Sequence, residues 1–151
     1  MKIAIGSDHA GFELKEFIRG MLEDEDMEVI DAGPFEFNEH DDYPIYAAGV
    51  ARLVSEGKAD RGILICDSGI GMDIVANKFR NIRSALVHDP ELARLTRRHN
   101  DSNVLCMGAL FVDDNTAGMI VSNWLDEPFS GADRHKRRLA EIADLERQLV
   151  R

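Results

Sequence analysis

The 151-residue chain lacks several features that would point to whole classes of protein. It has no apolar run near the length of about 20 residues that a transmembrane helix needs, so no membrane partner is expected. It is poor in basic residues: 18 Lys and Arg against 28 Asp and Glu give a net charge of −10, which argues against a general nucleic-acid-binding surface. Its only cysteines, Cys66 and Cys106, have neither metal-binding nor redox-motif spacing.

An apolar signal-peptide core is also missing after Met1-Lys2. Together with the few cysteines, this favours a reduced, cytoplasmic protein. The remaining composition, 44% apolar and 30% charged, is ordinary for a globular chain. Its length suits one domain with its own core.

Short apolar runs alternate with amphipathic segments along the chain. The runs predict five strands, at 2–6, 27–31, 62–66, 83–87 and 103–107. The other segments predict helices at 12–22, 44–56, 72–78, 90–98, 115–125 and 133–150. This alternation is typical of parallel βαβ units with right-handed crossovers. We therefore expect residues 1–151 to form a single α/β domain, an open five-stranded parallel sheet in a Rossmann-like three-layer α/β/α fold.

The helix at 133–150 stands outside this alternation. Its apolar residues, Leu139, Ile142, Leu145 and Leu149, form one stripe that must be buried on its own domain or on a neighbouring subunit. The helix begins with the densest basic cluster of the chain, at 134–138. A solvated helix start is the usual explanation of such a cluster, but cations are unfavourable near a helix N-terminus, so a bound anion is a better explanation here than it usually is. Arg134 and Arg138 share one face of the helix.

The segment 61–72 is the most informative part of the chain. An apolar run ends on Cys66, a glycine-bearing turn follows, and a helical pattern starts at Gly71. A thiol between a strand end and a helix N-terminus lies in a positive field, where a thiolate is favoured and backbone N–H groups converge. This arrangement suits a base beside an anion-binding site, although a plain corner with a buried cysteine explains the same residues.

Other candidate residues are identified from the same topology. Ligands of doubly wound sheets bind at the carboxyl ends of the strands, so Asp8 and His9 are candidates after the first strand. His99 and Asn100 close the fourth helix, and Tyr43 precedes the second. Each has a simpler explanation: a helix cap, a cation stabilised by the helix dipole, a left-handed C-terminal residue or a packing residue. Taken together, they favour a functional cluster.

The chain resembles the type B ribose-5-phosphate isomerase family, which includes galactose-6-phosphate and allose-6-phosphate isomerases. The resemblance runs from Met1 to about Leu145 and is carried by motifs in a fixed order. They are Ile5-Gly6-Ser7-Asp8-His9-Ala10-Gly11, Asp42-Tyr43-Pro44, Cys66-Asp67-Ser68-Gly69-Ile70-Gly71, Ala76-Asn77-Lys78, His99-Asn100-Asp101-Ser102-Asn103 and Arg134-His135-Lys136-Arg137-Arg138.

The resemblance implies a cofactor-free and metal-free aldose–ketose isomerase of the pentose phosphate pathway. It would interconvert ribose 5-phosphate and ribulose 5-phosphate through an enediolate. Cys66 matches the family's base, His99 the residue proposed to open the sugar ring, and Ser68 a position that is usually threonine. The family's sites are built from two subunits of a homodimer, which in some members assembles further to a tetramer.

The resemblance also implies a set of substrate contacts. Backbone N–H groups of the turn formed by Asp67, Ser68, Gly69, Ile70 and Gly71 would hold the enediolate oxygen. Asp8 and Asn100 match contacts to sugar hydroxyls, and Tyr43 lies in a shared motif and is assigned to the substrate side. The family's phosphate-binding positions are matched by His9, Arg134 and Arg138.

Two residues depart from the family pattern. Asp67 stands where glycine is usual and places a negative charge beside the developing enediolate. Leu110 stands where many relatives carry a phosphate-binding arginine. These departures keep two alternatives open: an isomerase of another aldose or aldose phosphate, and a non-catalytic sugar-phosphate-binding module. A third alternative is a redox protein with Cys66 as a sensor thiol, in which Cys106 would approach Cys66 in space.

Overall fold

Residues 1–149 are described by the computed structural model, and they contain a parallel sheet covered by helices on both faces. The five strands are β1 Lys2–Ser7, β2 Glu28–Asp31, β3 Arg61–Cys66, β4 Ser84–Leu86 and β5 Val104–Gly108. The helices are α1 Phe12–Asp24, α2 Tyr43–Ser55, α3 Ile70–Ala76, α4 Pro90–Asn100, α5 Asp114–Asp126 and α6 Asp133–Leu149. The predicted fold class is confirmed. The predicted end of the last helix at residue 150 lies outside the described residues.

The strand order β2-β1-β3-β5-β4 determines where a ligand can bind. The chain moves outward from β1 to β2 and then crosses back to β3, so the switch point of the sheet lies between β1 and β3. Their registered pairing, with Ser7 opposite Ile65, brings the loops after these two strands together. On the other side of β3, Cys66 lies opposite Gly108 of β5.

The sheet separates two apolar cores, one on each of its faces. Helices α1, α4 and α5 cover the face that carries Ile5, Ile63 and Ile65, with Trp124 fully buried among them. Helices α2 and α3 cover the opposite face, which carries Leu64 and Cys66. Side chains alternate between faces along a strand, so Cys66 lies on the α2–α3 side at the carboxyl edge.

Helix α6 leaves much of its apolar stripe uncovered. Ile142 and Leu145 are 48% and 56% exposed, and Leu149 is also exposed. The helix packs on α4 near its start, and His135 is its one buried residue within the described range. None of the helices in residues 1–149 is long and apolar enough to cross a bilayer.

A buried lysine fixes the loop that follows β2. Lys15 of α1 is fully buried, and its Nζ donates to both carboxylate oxygens of Asp31, at 2.9 and 2.8 Å. The same ammonium donates to the carbonyl oxygen of Pro34 at 2.7 Å. Lys15 therefore ties α1 to the end of β2 and to the start of the loop that leads to α2.

Replacing Lys15 with methionine should lower the free energy of unfolding by about 3 kcal/mol, because the Asp31 carboxylate and the Pro34 carbonyl then lose their donor. Urea denaturation measures the loss. The matched control is Lys2→Met, which breaks an exposed pair with Glu28 and should leave the denaturation midpoint unchanged. Equal midpoints for the two variants would contradict the role given to Lys15.

Candidate active site

The turn after β3 holds the Cys66 thiol against a backbone donor. The N–H of Gly69 donates to Cys66 Sγ at 3.1 Å, and Cys66 is 5% exposed. Gly69 precedes α3 with φ of 77°, a left-handed conformation that favours glycine. A Cβ on Gly69 would lie 2.5 Å from the Leu86 side chain and 2.8 Å from the Met107 backbone, so no side chain fits there. The sequence therefore fixes a donor on the sulfur.

The rest of the turn is held by backbone contacts. Ser68 Oγ accepts a hydrogen bond from the Ile70 N–H at 3.3 Å. The carbonyl oxygen of Asp67 accepts one from the Leu110 N–H at 3.0 Å, which joins the loops after β3 and β5. Two of the N–H groups predicted to hold the enediolate oxygen, those of Gly69 and Ile70, thus have partners inside the turn.

Asp67 replaces glycine without backbone strain, because it is not among the residues with positive φ. Its side chain is exposed and makes no hydrogen bond within residues 1–149. It therefore does not cap the start of α3. Its charge reaches solvent at the mouth of the site, where water screens it.

Tyr43 packs on the first turn of α3. It is the first residue of α2, and its ring lies so close to Gly71 that a Cβ there would be 2.5 Å from the ring. Gly71 therefore lets α2 and α3 approach each other beside Cys66. The packing explanation for Tyr43 holds, and the same contact places its ring at the carboxyl edge.

Asp8 and His9 flank Cys66 from the loop after β1. Asp8 is buried, its Oδ1 accepts the Gly11 N–H at 3.1 Å, and burial raises its pKa. A Cβ on Gly11 would lie 2.5 Å from the Ile65 carbonyl oxygen, so this loop packs directly on β3. His9 is half-buried and is bonded to Asp41, a residue that no periodic pattern in the sequence identified.

A second group of predicted residues lies at the opposite edge of the sheet. Helix α4 runs from the end of β4 back to the start of β5, so His99 and Asn100 at its end lie at the amino edge. Arg83, which precedes β4, confirms this by donating its Nε to the Asn100 carbonyl oxygen at 3.0 Å. The left-handed residue is Asp101, with φ of 45°, so the capping role suggested for Asn100 was wrong.

His135 joins the start of α6 to this edge. Its ring lies 4.5 Å from that of His99, centroid to centroid, and its Nδ1 is 2.6 Å from Ser130 Oγ. Burial lowers the pKa of His135. Arg134 and Arg138 flank it on exposed positions. His135 was missed as a separate feature because the sequence presents it inside a run of cations.

The predicted cluster is thus divided within one chain. At about 3.3 Å per residue, the five residues of β5 separate the two edges by roughly 13 Å. No hydrogen bond within the described range joins Cys66 to His99. The carboxyl-edge half-site contains Asp8, His9, Tyr43, Cys66, Asp67, Ser68, Gly69, Ile70 and Gly71. The amino-edge half-site contains His99, Asn100, Arg134 and Arg138.

The second thiol is poorly placed for redox chemistry with the first. Cys106 lies opposite Leu64, so it is diagonal to Cys66 across β3 and β5, a separation of about 7–8 Å. Disulfides need shorter Cα distances. Cys106 is fully buried beside Ser84, and burial raises its pKa. Within residues 1–149, no group of three or more His, Cys, Asp or Glu side chains is arranged to hold a metal ion.

Comparison with known proteins decides the family. The family model described as Ribose/Galactose Isomerase matches residues 3–142. The chain belongs to this family. It is 45% identical to ribose-5-phosphate isomerase B of Escherichia coli over 147 residues, which cover 97% of each chain. The chain is therefore a member of a family of sugar isomerases, and the predicted resemblance is confirmed.

Solved structures agree over nearly the whole chain. Ribose-5-phosphate isomerase B of Clostridium thermocellum superposes with a TM-score of 0.94 at 43% identity, covering 98% of this chain and 99% of that one. The Mycoplasma genitalium enzyme, solved with bound ribulose-5-phosphate, superposes with a TM-score of 0.93 at 40% identity, covering 97% and 96%. The fold that carries both half-sites is therefore the fold of these enzymes.

Replacing Gly69 with alanine should lower the free energy of unfolding by about 2 kcal/mol, because the left-handed turn is strained and the new Cβ meets the Met107 backbone. Chemical denaturation measures the change. Gly20→Ala is the matched control: it lies within α1 with no neighbouring atom in reach, and should stabilise the chain by about 0.5–1 kcal/mol. A neutral Gly69→Ala variant would contradict this account of the turn.

Proposed function

We propose that this protein interconverts ribose 5-phosphate and ribulose 5-phosphate without a cofactor, with Cys66 as the base. The observation that carries the proposal is the Cys66 sulfur at the carboxyl edge, beside the switch point, with the Gly69 N–H directed at it. A backbone donor on sulfur stabilises negative charge there, as a base that starts as a thiolate requires. The family and its characterised members supply the reaction type.

The reaction balances as an internal proton transfer. The Cys66 thiolate takes the proton from C2 of the open-chain aldose, and the electron pair moves to make the C1–C2 double bond of an enediol(ate). The proton of the C2 hydroxyl moves to O1 as the carbonyl forms at C2, and the thiol returns its proton to C1, which gives the ketose and restores the thiolate. The Ser68 hydroxyl and the backbone N–H groups of the 67–71 turn other than those of Gly69 and Ile70 would donate to the oxygen that becomes negative.

The separation of the two half-sites supports an active site built from two chains. His99, proposed to open the furanose ring, and Asn100, proposed to bind a sugar hydroxyl, lie at the amino edge of their own chain. Only His99 of a partner subunit can then stand beside Cys66. A homodimer with two-fold symmetry, alone or within a tetramer, would pair each carboxyl-edge half-site with an amino-edge half-site. Such assembly would also cover apolar surface at Ile70, Ile74 and the α6 stripe.

Charge complementarity supports a phosphorylated substrate. His9 on the carboxyl edge, with Arg134 and Arg138 from the partner subunit, would bind the phosphate, and Asp8 would accept from a sugar hydroxyl. Arginine is suited to phosphate through its forked donors. Tyr43 would border the sugar from its position on Gly71. This chemistry is expected in the cytoplasm, within the pentose phosphate pathway.

Leu110 favours a second candidate, an isomerase of another aldose or aldose phosphate. Its side chain is exposed, and its N–H is bonded to Asp67 beside the Cys66 turn. Leucine offers no donor to a phosphate there. A panel of pentose and hexose phosphates and free aldoses, ranked by kcat/KM, distinguishes the two candidates.

Cys66→Ala should reduce the isomerisation of ribose 5-phosphate by at least about a hundredfold, because no proton acceptor remains at C2. His99→Asn should also be strongly impaired. Ketose formation measured with EDTA present tests both variants and the absence of a metal requirement. Full activity in Cys66→Ala would refute the mechanism.

Mixing the two variants tests whether the site is shared. After subunit exchange, half of the dimers contain one chain of each kind, and each of these has one intact site, so the mixture should regain about a quarter of wild-type activity. The control is Cys66→Ala mixed with the double variant Cys66→Ala/His99→Asn, which should regain nothing. Failure of the first mixture to recover, with exchange verified by mass spectrometry, would mean that each site is built within one chain.

Leu110→Arg should lower KM for ribose 5-phosphate by about tenfold with little change in kcat, because a guanidinium adds a charge-assisted contact to the phosphate. Steady-state kinetics measures KM and kcat of the variant. Phe111→Arg adds the same charge at the next exposed position and serves as the control. Equal effects of the two would assign the gain to net charge, and a fall in kcat/KM would show that Leu110 suits a different substrate.

A further inference from the structure

Asp41 makes two hydrogen bonds to one residue 32 positions earlier. Its Oδ1 accepts from the His9 backbone N–H at 2.9 Å and lies 2.7 Å from His9 Nδ1. The first bond fixes the backbone of the loop after β1, and the second fixes the imidazole ring. Phe37 meets the same ring edge-on, with centroids 6.2 Å apart. The loop between β2 and α2 therefore clamps His9.

The Asp41 carboxylate is committed to this contact. Its side chain is only 3% exposed, and Oδ2 is buried without a hydrogen-bond partner within the described residues. A desolvated carboxylate is best compensated when the group hydrogen-bonded to it is a cation. The contact therefore favours a protonated His9.

His9 keeps its other nitrogen available. Its side chain is 35% exposed, and Nε2 is neither hydrogen-bonded within residues 1–149 nor among the buried atoms without a partner. With Nδ1 on Asp41, Nε2 is the ring nitrogen left to bind a ligand. The ring thus presents one N–H donor to the carboxyl edge, where Cys66 also lies.

We propose that Asp41 is a positioning residue that holds His9 as an oriented imidazolium, with Nε2–H directed at the phosphate of the substrate. The inference rests on the proposed function, in which His9 binds that phosphate. It adds a residue outside the shared motifs: the sequence around Tyr43 contributes Asp42 to the family pattern, and Asp41 precedes it.

The surrounding charges support this assignment. The hydrogen bond that His9 donates to Asp41 raises the pKa of His9, and the negative charges of Asp8 and Glu39 add to the effect. Tyr46 of α2 lies near Asp41, and burial raises its pKa, so it stays neutral. A phosphate monoester loses its second proton near pH 6. A raised His9 pKa keeps a cation opposite the dianion to higher pH than an unperturbed imidazole would.

Asp41→Asn keeps the side-chain shape and removes the charge, so His9 should titrate at lower pH. At pH 8 we expect KM for ribose 5-phosphate to rise about tenfold with kcat within about twofold. At pH 6 the difference should shrink to less than about threefold, because the imidazole is then protonated without help. Glu39→Gln, the matched control on the same loop, should change KM by less than about twofold at either pH.

A double-variant cycle separates this role from a merely structural one. In a His9→Asn background, Asp41→Asn should have no further effect on KM, since the residue acts through the imidazole. Asp41→Glu should restore part of the wild-type pH profile. Additive effects in the double variant, or a kcat loss that equals the KM change at every pH, would overturn the proposal.

Nitrogen NMR of the His9 ring tests the inference without an activity measurement. In the wild-type protein, inorganic phosphate should shift the His9 Nε2 signal, and Asp41→Asn should lower the titration midpoint; His9→Asn assigns the signal. An unchanged midpoint in Asp41→Asn, or an active enzyme whose His9 does not respond to phosphate, overturns the inference. An enzyme inactive toward ribose 5-phosphate, with the NMR results as expected, refutes the proposed substrate and leaves the anion contact standing.

Discussion

The hydrogen bond from the Gly69 N–H to the Cys66 sulfur is the contact on which the rest of the site depends. It exists because β3 ends on Cys66 and because the chain then turns through a left-handed residue. Met107 of β5 and Leu86 of β4 leave no room for a side chain on Gly69. The positions of β3, β4 and β5 therefore fix where the Gly69 N–H lies. Everything else at the carboxyl edge is arranged around this turn: Tyr43 against α3, and Asp8 on the neighbouring loop.

Much of the fold could be predicted because the central strands β1, β3 and β5 are buried on both faces. A strand in that position is a continuous apolar run, and such runs stand out between amphipathic helices. The boundaries are less sharp. Helix α2 starts at Tyr43, since Pro44 fits its first turn, and β4 covers only Ser84–Leu86 because it lies at the sheet edge.

The sequence names candidate site residues but does not predict how they are arranged. Motifs identify Cys66 and His99 as residues, but the direction of α4 places them at opposite edges, and that follows only from the assembled sheet. Asp41 was not predicted because its contact with His9 spans 32 positions and a loop without periodicity. Local sequence rules describe residues that are neighbours on one helix or on paired strands, and Asp41 and His9 share neither.

The separation of the two half-sites has a consequence for the life of a single chain. A folded monomer carries the Cys66 thiol and the His99 imidazole on opposite edges of the sheet, so on the proposed function it has no complete reaction centre. On the proposed assembly, a chain becomes active when two subunits associate and not when it folds. At chain concentrations well below the dissociation constant of the dimer, activity grows with the square of the chain concentration. Dilution would then silence the enzyme without unfolding it.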